Sequence, residues 1–391
     1  MKLPVYLDNH ATTRVDPRVI EVMVPLMSEG YGNSASRQHE FGWRAEAEVE
    51  RARASVASLV GAQPEEIVFT SGATESINLA LKGLAEARGS RGNHIVTAAT
   101  EHKAVLDVCA RLERMGFRVT TLSVDGEGLV DPEDVKKAIT SATILVSIMT
   151  ANNEIGTIAP VEEIGAICRA KGVPFHTDAT QAAGKIPLDV DAMHIDMLSL
   201  SAHKMYGPKG VGALYVRSSA NSLKIEPQID GGGHERGLRS GTLNVPGIAG
   251  FGKAASLAAT EMRFESRQLG MLRDRLVEGL SAAVDGLRVN GHLTRRLPHN
   301  ANVTIPGVNA DALMMAMKDV AVSSGSACSS ATPEPSHVLQ AIGLGREEVL
   351  SSLRFGLGRF TAEEEIDYAV RRVSEAAVAI RQGRRQMQFA H

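Results

Sequence analysis

Lys204 follows the apolar run "IDMLSLS" (195 to 201), with Ser201 and His203 beside it and the tight turn "YGPKG" behind. A lysine desolvated at a strand end has a lowered pKa, and its amine can form a Schiff base with a carbonyl. Asp178 closes "VPFHTDATQ", where a buried carboxylate is costly unless it faces a cation. In "IVFTSGATES" a strand runs into Gly72 and a helix opens near Thr74. The free N–H groups and positive dipole end of such a helix start can cradle a phosphate. Each of these has an ordinary reading alone: a solvated lysine, a loop carboxylate, a plain Ser/Thr cap. Cys328 is harder to dismiss. It sits in "SSGSACSSATPEPSH" (323 to 337), with no apolar periodicity on either side to bury it. The other cysteines, Cys109 in "AVLDVCARLERMGF" and Cys168 in "VEEIGAICRAKG", lie on apolar helix stripes and read as packing.

The elements that must position these groups alternate from residue 50 to about 216. Strand patterns occur at "EIVFT" (66 to 70), "HIVTAA" (94 to 99), "RVTTLSV", "TILVSIM" (143 to 149), "PFHTDA" (174 to 179), "IDMLSLS" (195 to 201) and "VGALYVR" (211 to 217), with helical patterns between most of them. Such alternation predicts a mainly parallel sheet covered by helices on both faces. Ligands bind beyond the carboxyl ends of the strands in sheets of this kind. Just past those ends stand Ser71, Ala73 and Thr74, then His102, Asn152 and Asn153, Asp178 and Gln181, and Ser201, His203 and Lys204. They are scattered in sequence, and the sheet brings them together.

From about residue 258 the texture changes to a long charged helix, "EMRFESRQLGMLRDRLVEGLSAAV", then short strands, the Cys328 loop and a last strand and helix. The expected organisation is an α/β fold: a large domain, 16–257, with a mainly parallel sheet between helices, and a smaller α+β domain, 1–15 and 258–391, carrying the cysteine loop. The final "GRRQMQFAH" reads as a frayed end.

Composition narrows the partners. With 42 Lys+Arg against 45 Asp+Glu, the net charge of -3 recommends neither nucleic acid nor an anionic membrane. No apolar run is long enough to span a bilayer, and "MKLPVYLDNHATT" has neither a signal-peptide core nor transit-peptide character. Three cysteines without C-x-x-C spacing fit a reducing cytoplasm. Twelve histidines include no H-E-x-x-H, and no P-loop or G-x-G-x-x-G follows a strand, so no metal or nucleotide site is expected. A phosphate cradle, a Schiff-base lysine and a carboxylate for a pyridine nitrogen together suggest pyridoxal phosphate.

At "YLDNHATTRVDP", "GNSASRQHEFG", "TEHKAVL", "ANNEIGT", "FHTDATQAAGK", "SAHKMYGPKGVG", "GGGHERGLRSGT", "SSGSACSSATPEPSHVL" and "LRFGLGRFTAEEEID", the chain resembles cysteine desulfurases of the NifS/IscS type. These are fold-type I pyridoxal-phosphate transferases related to class-V aminotransferases. The resemblance implies that Lys204 carries the cofactor and shuttles a proton, and that His102 stacks on its ring and assists the proton transfer as a catalytic residue. Asp178 holds the pyridine nitrogen, while Gln181 and Asn153 contact the ring oxygen and the substrate side. Ala73, Thr74, Ser201 and His203 take the phosphate, with Thr242 reaching it from a partner subunit in a homodimer. Arg354 and Asn33 clamp the substrate carboxylate, a task suited to a guanidinium fork. L-cysteine becomes L-alanine, its sulfur passing to Cys328 as a persulfide and then to acceptors such as an iron–sulfur scaffold protein or a thiolation pathway.

The family's opening motif varies around His10, and the resemblance gives His10 no role. Some members carry a longer tail than follows "AIRQGRR" here, one that docks the scaffold. Rival readings are selenocysteine lyase or transamination on the same fold, and a non-catalytic partner-binding member. A persulfide-forming cysteine is unnecessary for transamination, and every reactive residue is present.

Overall fold

The computed structural model describes residues 1–218, 223–324 and 335–388. Its centre is a seven-stranded sheet of β2 (Ile67–Thr70), β3 (His94–Ala98), β4 (Arg118–Leu122), β5 (Thr143–Ser147), β6 (Phe175–Asp178), β7 (Met197–Ser201) and β8 (Gly212–Val216). The spatial order is β2-β8-β7-β6-β5-β3-β4, and β8 alone runs against its neighbours. Every residue of β3, β5, β6 and β7 is buried, as expected of strands covered on both faces, whereas the edge strand β4 is largely open. The covering helices are α1 (Pro17–Ser28), α2 (Glu40–Val60), α3 (Ala73–Arg88), α4 (Lys103–Arg114), α5 (Pro132–Ala138) and α6 (Val161–Lys171). Cys109 and Cys168 lie in the two cores flanking this sheet, and burial pushes both thiols up to about 12.

α7 (Val245–Ala283) leads out of this layer. Its first half packs in the core of the large sheet, and its second half packs with a separate core around a smaller antiparallel sheet. That sheet has the order β12 (Ser323–Ser324), β13 (Ser352–Gly356), β10 (Asn300–Thr304), β9 (Arg288–Val289). Alongside it lie α8 (Ala310–Ala316), α9 (His337–Ala341), α10 (Arg346–Val349) and α11 (Glu363–Gln388). The amino-terminal strand β1 (Val5–Tyr6) pairs with β11 (Val320–Ala321), so the chain starts in the smaller layer before crossing to the larger.

Two boundaries differ from the sequence reading. The long helix starts at Val245 instead of near residue 258, because Gly250 and Gly252 are contact points and not breakers. A Cβ on Gly252 would lie 2.4 Å from the Ala52 Cα, so the glycine lets α7 press against α2. The last helix continues to Gln388, through most of the stretch read as frayed. Arg, Gln and Met are good helix formers and no proline interrupts them.

Candidate active site

The carboxyl ends of β2, β3, β5, β6 and β7 open on one side of the large sheet, and the strand-end residues collect there. β2 turns through Gly72, whose φ of 151° and ψ of 179° belong to a region essentially reserved for glycine. α3 then begins at Ala73 with no side-chain cap. The side chains that usually cap turn elsewhere. Glu75 accepts from the Ser71 N–H at 2.8 Å and pairs with Arg239, while the Ser76 hydroxyl meets Thr70 Oγ1 at 2.7 Å. The backbone N–H groups of Ala73 and Thr74 therefore have no hydrogen-bond partner among the described residues. The Ser201 hydroxyl, at the end of β7, lies 4.0 Å from where a Gly72 Cβ would stand. An open helix start beside a serine hydroxyl fits a phosphate.

Asp178 ends β6 and is buried, its Oδ1 accepting from the Thr180 N–H at 2.9 Å. No hydrogen bond among the described residues engages Oδ2, which suits a protonated ring nitrogen. His102 caps α4 through Nδ1, 3.1 Å from the Ala104 N–H, and presents an open ring edge. The surrounding protein lowers its pKa despite the opposing field of Asp178, with Lys204 and His337 adding to the depression. A neutral ring can stack without bringing a charge to the site. His203 is held at about 4 by burial and by Lys204 and Lys209, and its Nδ1 meets Thr12 Oγ1 at 3.1 Å. Lys204, on the short turn after β7, donates from Nζ to the His10 carbonyl and to the Ala11 carbonyl, the latter at 2.8 Å.

The smaller layer supplies Arg354 from β13. Its fork donates to the Asn153 carbonyl at 3.0 Å and to Asp8 Oδ1 at 2.9 Å, and its buried Nε has no partner among the described residues. Arg354 thus joins the large sheet's Asn153 to the amino-terminal arm. Asn33 does not join them: it is exposed beyond α1, its Oδ1 taken by the Ala35 N–H at 2.9 Å. Thr242 is also exposed, on the loop before α7. Cys328 lies outside the described residues.

Sequence reasoning missed four polar groups. Asp8 holds Arg354. His10 is almost wholly buried against Gln181, with Nδ1 2.9 Å from Oε1, and the Gln181 Nε2 donates back to the His10 carbonyl at 3.1 Å. Glu101 is buried beside His102; burial and the field of Asp178 hold its carboxyl well above the usual range despite a bond from the Met149 N–H. Glu154 is likewise raised by burial, and accepts from Ser336. For Asp8 and His10 the available signal was a polar run, "DNHATT", directly after a short apolar strand; Glu101 and Glu154 had no such signal.

The family model for aminotransferase class V matches residues 5–369. A cysteine desulfurase IscS from Anaeromyxobacter sp. (strain Fw109-5) is 59% identical over 382 residues, 98% of this chain and 94% of that protein. Another of the same name from Dechloromonas aromatica (strain RCB) is 52% identical over 98% of this chain and 94% of its own. Among solved structures, a NifS-like protein superposes with a TM-score of 0.89 at 41% identity, covering 95% of this chain and 98% of that one. SspA in complex with cysteine superposes at 0.81 with 40% identity, covering 92% of this chain and 100% of that one.

Proposed function

The chain belongs to the aminotransferase class-V family and is a pyridoxal-phosphate-dependent cysteine desulfurase; from that premise we propose how its own residues divide the work. The observation that carries the reading is the convergence, at one sheet end, of an uncapped helix start, Asp178 and Lys204. The cofactor supplies an aldehyde for the substrate amine and an electron-accepting ring. Ala73 and Thr74 N–H groups, with Ser201 and His203, would hold its phosphate. Asp178 would face the ring nitrogen, His102 the ring face, and Gln181 and Asn153 the ring oxygen and substrate side. Lys204 would anchor the aldehyde, then take and return protons at Nζ, which the carbonyls of His10 and Ala11 orient.

Arg354 would bind the substrate carboxylate, as the cation that the smaller layer places beside Asn153, with Asn33 joining it as the family resemblance implies. The Cys328 thiol would take the sulfur of L-cysteine: an S–S bond forms on Cys328 as the substrate Cβ–S bond breaks, and Cβ gains the proton that the thiol gives up, leaving a persulfide and L-alanine. The persulfide would pass to a protein acceptor such as an iron–sulfur scaffold. Selenocysteine lyase activity is the second reading on the same residues, since selenium could follow the sulfur route.

A homodimer is supported by an exposed apolar stripe, Ile20, Val24 and Met27 on α1, continued by Tyr31, Phe41 and Trp43. Thr242 would reach the partner's phosphate site. Heterodimers of Lys204→Ala and Thr242→Val chains test this, because the site that keeps Lys204 would borrow an intact Thr242. Heterodimer activity no better than that of the Thr242→Val homodimer would refute it. No helix among the described residues is long and apolar enough to cross a membrane. Among those residues no cluster of His, Cys, Asp and Glu could hold a metal ion. A cytoplasmic location is proposed on the reduced, buried Cys109 and Cys168.

The reaction is tested with L-cysteine and a reductant: alanine and sulfide should appear in equal amounts. Cys328→Ser should retain cofactor and still perturb its spectrum with cysteine, yet release almost no product. A Cys328→Ser enzyme turning over at the wild-type rate would end the assignment.

A further inference from the structure

His10 lies on a buried polar chain that runs from the smaller sheet to the cofactor-site glutamine. Arg296 Nη2 donates to Asn300 Oδ1 at 3.1 Å, and Asn300 Nδ2 lies 3.1 Å from His10 Nε2 and 3.1 Å from the Glu154 carbonyl. His10 Nδ1 lies 2.9 Å from Gln181 Oε1, and Gln181 Nε2 donates to the His10 carbonyl at 3.1 Å. The His10 ring also stacks on His299, with centroids 4.4 Å apart and planes tilted by 32°.

The direction of every bond in this chain is fixed by groups that cannot reverse. A guanidinium only donates, so Asn300 must turn its oxygen to Arg296 and its nitrogen to His10. The Glu154 carbonyl only accepts, which demands the same orientation. At the other end the His10 carbonyl only accepts, so Gln181 must turn its nitrogen there and its oxygen to Nδ1. His10 is therefore bonded to a donor at Nε2 and an acceptor at Nδ1, which requires the neutral Nδ1–H tautomer. Burial, Arg354 and Lys204 all oppose protonation, and hold the ring at about 3.

We propose that His10 is a positioning residue for the cofactor: its Nδ1–H is the second anchor of the Gln181 amide, holding the amide plane so that the second N–H of Gln181 Nε2 meets the ring oxygen. Without that donor the amide keeps a single anchor, the main-chain carbonyl of residue 10, and can swing so that its free N–H leaves the ring oxygen. This rests on the reading that Gln181 contacts the ring oxygen, and the experiment separates the two.

Nitrogen NMR of the histidines in cofactor-free wild-type protein should show His10 protonated at Nδ1 and bare at Nε2. The Nε2–H tautomer would overturn the proposal whatever any variant does. On reconstitution with pyridoxal phosphate, His10→Leu should bind it roughly five- to ten-fold more weakly, the loss of about one net hydrogen bond, with a shifted pH midpoint of its visible band. His10→Asn, which keeps an N–H at the Nδ1 position, should recover the wild-type midpoint and affinity to within about two-fold. If Gln181→Ala weakens binding while His10→Leu matches wild type, His10 merely fills space and the proposal fails. If Gln181→Ala itself leaves affinity and spectrum unchanged, the ring-oxygen reading fails instead.

Discussion

At Arg354 a single side chain ties three parts of the molecule together. Its fork is shared between Asp8 and the Asn153 carbonyl, and the remaining Nε is buried with no partner among the described residues. A substrate carboxylate arriving there would meet a cation already held in plane, so little side-chain entropy is lost on binding. Lysine retains the charge but not the planar, multi-pronged donor set. Arg354→Lys should raise KM for L-cysteine by about ten-fold while kcat changes by less than about three-fold, the pattern of lost ground-state binding. Steady-state kinetics across a cysteine series would report it. An unchanged KM would remove Arg354 from the substrate site. His102 and His203 make a complementary point: the surrounding protein drives both toward the neutral form, and the charge of Lys204 adds to the depression of each.

At the scale of one element, the turn from β2 into α3 depends on Gly72. Its backbone sits where a Cβ is strained whatever the free space, and Gly212 on β8 crosses directly against it. A Cβ on Gly212 would stand 2.6 Å from the Gly72 Cα, so neither strand end can give way. Gly72→Ala should therefore displace the first N–H groups of α3 and not simply tighten the helix. The cost of such strain is about 1–3 kcal/mol, and part of it should appear as weaker cofactor binding. Fluorescence titration of the apoprotein with pyridoxal phosphate should give an affinity lowered about ten-fold or more. An affinity equal to that of wild type would show that the helix start does not hold the phosphate.

Across the whole molecule, the two layers are sewn together by a buried ionic seam near the lysine turn. Lys185 meets Glu265 at 2.6 Å and the Tyr206 hydroxyl at 2.8 Å, and Arg359 joins Glu265 at 2.8 Å and Asp16 at 2.7 Å. Arg359 follows β13 of the smaller sheet, whereas Lys185 and Tyr206 follow strands of the larger. We propose the division at 16–257, with 1–15 and 258–391 forming the second unit; the separate cores support it, although α7 passes through the boundary unbroken. Burial alone would raise the Glu265 carboxyl, but Lys185 and Arg359 overcome it and hold it below its ordinary value. Asp16 is lowered too, chiefly by its bonds to Arg18 and, after a burial penalty, by Arg359. Carboxylates depressed in the folded state stabilise it above their unfolded pKa of about 4. That contribution is lost as pH falls through the lowered folded values. Thermal melts should therefore show stability falling steeply below about pH 4. Glu265→Gln, which leaves Lys185 buried with a neutral partner, should cost about 3 kcal/mol near neutrality and make the melt less sensitive to acid. A melt insensitive to Glu265→Gln at both pH values would show that the seam contributes nothing.

The sequence by itself determined the parallel sheet, the order of its strands along the chain and the polar residues at their ends, because each is written in a few consecutive residues. "IDMLSLS" before Lys204, "FHTD" ending in Asp178 and "IVFTSG" before Thr74 announce a strand, its direction and its terminal residue locally. Burial of Cys109 and Cys168 was legible in the same way, from helix periodicity. Only the tertiary structure decided what meets those ends from elsewhere. Asp8 against Arg354, and His10 between Gln181 and Asn300, are pairings across 346, 171 and 290 residues, with no local period to betray them. Glu101 and Glu154 look like surface carboxylates in sequence, and become buried because other layers close over them. The same holds for Gly250 and Gly252, which resemble breakers until two helices are brought close enough to need them. Local propensity chooses an element; which of its polar groups lose their water is chosen by the packing of the whole chain.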